Sequence, residues 1–177
     1  MRRVLLIGIV VALLVGALAA PGLADIRLKG GWFKPTEEPP GELNEATGIL
    51  FGAELVSSLG ETLGIGVGAD YFQSHYSVDY VPSLLVNGSY RVIPITGTVY
   101  LYPSGGLYLG AGIGYYLANR STDTGYSDDK SGFGYHATAG YQITDLIFVE
   151  GKYSTCKISD WGDFDAGGIS IVAGISL

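Results

Sequence analysis

The sequence is short of charge, of cysteine and of histidine, and after its start it lacks any long apolar run. Asp, Glu, Lys and Arg make up 15% of the 177 residues, against roughly 25% in an ordinary soluble domain. A normal water-facing surface is therefore not expected. Cys156 is the single cysteine, which excludes an internal disulfide and a cysteine-rich metal site. Basic residues number 10 against 17 acidic ones, for a net charge of −7. Nucleic acid is not an expected partner, because binding it requires a basic surface that displaces phosphate counterions. Beyond the first residues no apolar stretch is long enough for a membrane helix. A mature chain living in a membrane must then cross it as a closed sheet, which alone satisfies every backbone polar group without water.

The first residues read as a leader. Arg2 and Arg3 precede the apolar run Val4 to Leu18, and small residues follow at Ala17-Leu18-Ala19 and Gly22-Leu23-Ala24. This is the layout of a secretory signal peptide with cleavage expected after Ala24, and Ala19 or Ala20 as alternative sites. The competing reading, an uncleaved anchor helix, needs about 20 apolar residues, and the run is shorter. The division expected is 1–24 signal peptide and 25–177 a single β-barrel domain. Losing Arg2 and Arg3 leaves eight basic residues against 17 acidic ones, or −9.

What the chain does have is glycine, 28 residues, and tyrosine, 13. From Asp25 onward the apolar period is two. Leu63, Ile65, Val67, Ala69 and Tyr71 share one face, and Gly64, Gly66, Gly68, Asp70 and Phe72 the other. Leu107 to Leu117 repeats the scheme: Leu107, Leu109, Ala111, Ile113, Tyr115 and Leu117 alternate with Tyr108, Gly110, Gly112, Gly114 and Tyr116. A soluble half-buried strand alternates apolar with charged or long polar residues. Here the second face is small, which suits the narrow interior of an eight-stranded barrel with its apolar face on lipid.

Eight strands are expected, near 25–34, 47–57, 62–74, 89–102, 107–119, 132–143, 147–157 and 165–177. Each approaches or exceeds the roughly 9–11 residues of a tilted membrane strand. The connections alternate: long at 35–46, 75–88, 120–131 and 158–164, short at 58–61, 103–106 and 144–146. Long polar loops outside and short turns in the periplasm are the pattern of a bacterial outer-membrane barrel. Tyr71, Tyr115, Tyr135, Tyr141 and Tyr153 fall near strand ends on the outward parity, as aromatic girdles would. The fold expected is an all-β, eight-stranded, antiparallel up-and-down transmembrane barrel, both termini periplasmic, its last strand pairing with Ile26 to Trp32 of the first. A soluble lipocalin-like barrel, with its apolar face inward, is the alternative.

The run Arg91-Val92-Ile93-Pro94-Ile95-Thr96-Gly97-Thr98-Val99-Tyr100-Leu101-Tyr102, followed by Leu107-Tyr108-Leu109-Gly110-Ala111-Gly112-Ile113-Gly114-Tyr115-Tyr116, resembles the barrel core of OmpW-like and opacity-protein-like families. With the leader and the strand Leu63 to Tyr71, the whole mature chain resembles small OmpA-like and OmpX-like barrels. The resemblance implies an outer-membrane location, lipid and lipopolysaccharide as neighbours, and insertion by the barrel-assembly machinery. Such barrels usually end in an aromatic residue; this chain ends Gly174-Ile175-Ser176-Leu177.

Inward parity gathers Arg27, Lys29, Glu54, Asp70, Glu150 and Lys152. Buried charges are costly unless matched, so these six are expected to pair as a structural plug; an ion path is the alternative. His136 lies two residues before Thr138, also inward, a poor match to the histidine and serine dyad of lipid-modifying barrels. His75, with Tyr76 and Asp79, has too few partners for a protease rim. Asp160, Asp163 and Asp165, and separately Asp123, Asp128 and Asp129, are expected to be solvated acidic loops, since neither has calcium-loop spacing. Cys156 is expected to be a packing residue. No catalytic, cofactor or metal site is expected. The function expected is a non-enzymatic structural or surface-interaction barrel, with loops open to an extracellular ligand. A narrow solute channel is the alternative, and a lipid-modifying enzyme the remote one.

Overall fold

The computed structural model describes residues 24–37, 47–81, 84–122, 125, 127–158 and 164–177. The expected leader lies outside them, apart from Ala24. Eight barrel strands are present among the described residues: β1 (Ala24–Pro35), β2 (Gly48–Ser58), β3 (Leu63–Val81), β4 (Leu84–Ser104), β5 (Leu107–Thr122), β6 (Ser127–Gln142), β7 (Ile147–Thr155) and, after two short strands β8 (Lys157–Ile158) and β9 (Phe164–Asp165), β10 (Gly168–Ser176). They close in the order β1-β10-β7-β6-β5-β4-β3-β2, each pair antiparallel. Closure is made by β1 and β10, from Arg27 opposite Ser176 to Pro35 opposite Gly168. The seam extends to the last residue, where Ile26 and Leu177 exchange both backbone hydrogen bonds.

The alternation sorts the two faces as expected. Ile65, Leu109, Ile113, Phe133, Ile171 and their outward neighbours are exposed, while inward Phe72, Tyr108, Tyr116, Phe148 and Val172 are buried. An exterior carrying this many exposed large apolar side chains suits hydrocarbon and excludes the lipocalin-like arrangement. Tyr71, Tyr135, Tyr141 and Tyr153 are exposed, as are Trp32 and Phe133. Tyr141 sits beside the short turns and the others toward the opposite rim.

Four segments differ from expectation. The segments 75–88 and 120–131, expected as loops, are largely strand: β3 runs to Val81, β4 starts at Leu84, β5 ends at Thr122 and β6 starts at Ser127. The ladder simply continues, with Val78 paired to Val86 and Asn119 to Asp129, because polar composition does not stop backbone pairing once the hairpin is aligned. Expected strand 147–157 ends instead at Thr155, and the last strand begins at Gly168 rather than 165. The reason is Asp165, whose side chain organises a turn there, described below.

Four inward glycines are matched to large neighbours. Directly across the ladder from them stand rings: Tyr100 opposite Gly110, Tyr108 opposite Gly140, Tyr116 opposite Gly132 and Phe148 opposite Gly174. At Gly110, Gly140 and Gly174 the facing ring folds into the space a side chain would take, whereas Gly132 is closed over by Cys156 and Lys157 and the Tyr116 ring lies against Gly134.

Candidate functional site

The lumen is built in three layers. Nearest the short turns lies an aromatic floor of Val56, Tyr100, Tyr108 and Phe148, with Tyr102 packed against it. Toward the opposite mouth lies a larger apolar cluster that includes Phe33, Leu50, Phe72, Tyr90, Tyr116 and Val172. Phe33 stacks on Phe72 with centroids 3.8 Å apart. Between the two lie the charges.

Lys29 of β1 is the centre of the charged layer. Its Nζ is 3.4 Å from Asp70 Oδ1, 3.5 Å from Glu150 Oε1 and 3.9 Å from Glu54 Oε2. Lys152 Nζ donates to Asp70 Oδ2 at 2.7 Å. The floor completes the carboxylates: the Tyr100 hydroxyl lies 2.8 Å from both oxygens of Glu54, and the Tyr108 hydroxyl donates to Glu150 Oε2 at 3.1 Å. Ionised groups in so dry a place persist only when both partners and leftover lone pairs are matched.

Arg27 departs from the expected six-membered pairing. It makes no ion pair among the described residues. Its guanidinium carbon instead lies 4.8 Å from the Tyr108 ring centroid, 5.3 Å from Tyr100 and 5.4 Å from Phe148, within cation–π range of all three. Parity put Arg27 inside, but one turn-side layer below Lys29, where the neighbours are rings.

His136 is buried, with Nε2 3.0 Å from the Thr98 hydroxyl. Thr138 donates to the backbone carbonyl of Gly151, so the two do not form a hydrogen-bonded dyad. The side chains of His75, Tyr76 and Asp79, and residues Asp123, Asp160 and Asp163, lie outside what the structure describes. Asp128 pairs with Lys130 at 3.6 Å and Asp129 accepts from Asn119 at 2.7 Å. No group of three or more metal-ligating side chains occurs among the described residues.

Asp165, expected in a solvated loop, is buried. Its Oδ2 accepts from the Thr155 hydroxyl at 2.6 Å, and its Oδ1 from the backbone N–H of Cys156 at 2.7 Å and of Gly167 at 2.8 Å. Its own N–H donates to Glu37 Oε2 at 2.8 Å, and Thr36 N–H to the Gly167 carbonyl. The connection after β7 is thereby tied to the end of β1, and it brings Cys156, Ile158 and Ala166 into the upper apolar cluster. Burial, and secondarily the charge of Asp165, push the Cys156 thiol up to about 11. Asp165→Ala leaves three donors unmatched and is expected to cost about 2–3 kcal/mol. Urea unfolding in detergent measures it, and an unchanged midpoint would contradict the role of this turn.

The floor residues Tyr100, Tyr102, Tyr108 and Phe148 were not singled out from sequence. Their signal was available in the inward parity of Tyr108, but the rings' meeting point depends on how the strands are staggered around the barrel.

A filled, charge-matched lumen inside an apolar antiparallel wall is the construction of a small outer-membrane barrel, and the pattern of the outer membrane protein beta-barrel domain matches residues 7–176. The chain belongs to this family. No curated protein matches it. Among solved structures, this outer-membrane barrel is similar to Ail, the attachment invasion locus protein of Yersinia pestis, in complex with the heparin analogue sucrose octasulfate. The TM-score is 0.61 at 15% identity, covering 88% of this chain and 99% of that one. A further Ail crystal structure gives 0.60 at 16% identity over the same shares. Neisserial surface protein A (NspA) gives 0.50 at 16% identity, covering 86% of this chain and 92% of that one. At such identities the likeness is one of fold. The outer-membrane barrel assignment places the protein in the bacterial outer membrane.

Proposed function

We propose that this is a non-enzymatic barrel of the outer membrane with a structural or surface-interaction role, its lumen plugged by side chains. One observation carries the reading: a charged layer around Lys29 lies between two apolar layers that both fill the bore. A hydrated ion passing through would have to shed water into each apolar layer and break the matched charges between them. The lumen residues Arg27, Lys29, Glu54, Asp70, Glu150 and Lys152 then serve to rigidify the wall. His136 is buried inside the filled lumen, away from lipid on the outer wall, which supports a reading without acyl-transfer chemistry.

In this reading residues 1–24 are removed as a signal peptide and 25–177 form the mature barrel, inserted by the barrel-assembly machinery beside lipopolysaccharide. The short turns and both termini face the periplasm. The opposite rim, with the β3–β4 and β5–β6 hairpins reaching beyond the aromatic girdle, faces the medium and offers its surface to an extracellular ligand. Ail, whose fold is similar, has been solved in complex with a heparin analogue, which supports ligand binding by a barrel of this fold. With Arg2 and Arg3 removed the net charge is −9, which argues that the ligand here is not a polyanion.

Planar-bilayer recording of the purified barrel tests the plug. No unitary current is expected from the parent protein; reproducible unitary currents would favour the channel reading instead.

A further inference from the structure

The apolar outer wall ends along one line at the rim opposite the short turns. On β4 the outward residues Ile93, Ile95, Gly97, Val99 and Leu101 occupy nine residues, 93–101, the length of one tilted crossing of the hydrocarbon. The next outward residue toward that rim is Arg91. Its direct neighbours across the ladder are Gln73 of β3 and Asn119 of β5. The apolar outward runs 63–71 and 107–117 stop at the same two residues. Below this row lie Tyr71, Ile93 and Leu117, all exposed. Above it the hydroxyls of Ser89 and Ser121 share a hydrogen bond. The flanking amides are pinned: the Tyr71 hydroxyl donates to Gln73 Oε1 at 2.7 Å, and Asn119 Nδ2 donates to Asp129 Oδ1 at 2.7 Å. Arg91 is exposed between them, and its guanidinium makes no ion pair or hydrogen bond among the described residues.

A guanidinium facing outward at the edge of the hydrocarbon is costly unless it reaches a headgroup that matches it. A phosphate matches it best, because the planar fork of arginine donates to two of its oxygens at once. We propose that Arg91 binds the phosphate of a membrane lipid, whose acyl chains lie on the wall below, over Tyr71, Ile93 and Leu117. The outward residues of 63–73, 89–101 and 107–121 include no acid. A phosphate arriving in the plane of the membrane is therefore not repelled by the acid elsewhere in the chain. The turn-side rim offers no such site. Its exposed charges are Asp25, Glu61 and Asp145. Every basic residue from Ala24 onward that lies outside the lumen, namely Lys34, Arg91, Arg120, Lys130 and Lys157, sits toward the other end. Binding of a lipid phosphate does not depend on which side of the membrane this rim faces. Naming the lipid does, and that part rests on the outward placement proposed above, where the phosphates are those of the lipid A part of lipopolysaccharide.

The test is native mass spectrometry of the folded barrel in non-ionic detergent, titrated with diphosphoryl lipid A. A single retained lipid is expected, with its Kd raised about tenfold or more in Arg91→Gln, the scale of a charge-assisted, two-pronged hydrogen bond. Arg91→Lys keeps the charge and loses the fork, and is expected to fall between the two. Lys157→Gln removes another exposed cation of the same rim and is expected to bind as the parent does. Heat-modifiable gel migration checks that each variant folds. No retained lipid, parental affinity in Arg91→Gln, or equal weakening in Lys157→Gln would each overturn the proposal, the last by replacing a site with diffuse attraction. Inorganic phosphate at millimolar concentration is expected to leave the lipid in place, because it lacks the apolar contacts; displacement would overturn a lipid site in favour of a free anion. Labelling of Ser127→Cys, exposed on the β5–β6 hairpin, with a membrane-impermeant maleimide on whole cells reads the placement separately. Labelling supports lipopolysaccharide as the lipid. Protection, with lipid A still bound in detergent, would overturn that assignment and the outward rim while the phosphate site stands.

Discussion

Replacing Lys29 with methionine is expected to lower the unfolding free energy by about 3–5 kcal/mol, the scale seen when one member of a buried ion network is removed. The lysine lies within 4 Å of three carboxylates, and both it and they are nearly without solvent. Lys152 still serves Asp70, Tyr100 still serves Glu54 and Tyr108 still serves Glu150. Those remaining contacts leave Glu54 and Glu150 without a cation among the described residues. The variant therefore gains uncompensated negative charge in the middle of the bore. Urea denaturation in detergent, followed by tryptophan fluorescence and by gel migration, measures the loss. A double variant, Lys29→Met with Glu150→Gln, is expected to recover part of it by removing one orphaned charge. If the single variant unfolds at the parental midpoint, the charged layer contributes nothing and the plug loses its main argument.

The second large effect is expected at Gly112. A side chain there would run into the backbone carbonyl of Gly97 and the ring of His136. A ring can turn aside, whereas a carbonyl in the neighbouring strand moves only if the ladder moves. Gly112→Val is expected to cost about 3 kcal/mol, at the upper end of ordinary overpacking, and to reduce sharply the fraction that migrates as folded barrel without heating. Gly97→Val is the matched control. It lies on the adjacent strand but points outward, with nothing within 4 Å of the added carbon. Its midpoint is expected to stay within about 0.5 kcal/mol of the parent, as for a surface change that touches nothing. Equal behaviour of the two would mean that the inner and outer faces are not what the alternation says they are.

These two glycines show how far the sequence could be read. Both stand in strand segments of small and apolar residues, Ile95-Thr96-Gly97-Thr98-Val99 and Gly110-Ala111-Gly112-Ile113-Gly114, and their opposite tolerance follows from parity. Parity likewise put Lys29, Asp70 and Lys152 on the inner face and Ile113 and Ile171 on the outer one. It did so because a strand in a closed wall has two sides, and successive side chains alternate between them. The even number of strands, the pairing of the last with the first and the alternation of turns came from the same rule applied along the chain.

Height along the bore was not legible. Arg27 and Lys29 are two residues apart and share a face, yet one enters a ring cage and the other a triad of carboxylates. The difference is set by which residues of β4, β5 and β7 arrive at each level, and that depends on the stagger of strands around the closed barrel. The same limit hid the role of Asp165. As a member of an acidic stretch it looks solvated, and only the folded connection brings the N–H groups of Cys156 and Gly167 to its side chain. It also explains why 75–88 and 120–131 were expected as loops: polar residues mark where lipid ends, but not where hydrogen-bonded strands end. By itself, then, the sequence determined the fold class, the face of each strand residue and the closure of the barrel, because those follow from a local two-residue period. The tertiary structure alone decided which inward groups meet, which charges are matched and which rings surround Arg27, because those depend on register between strands far apart in the chain.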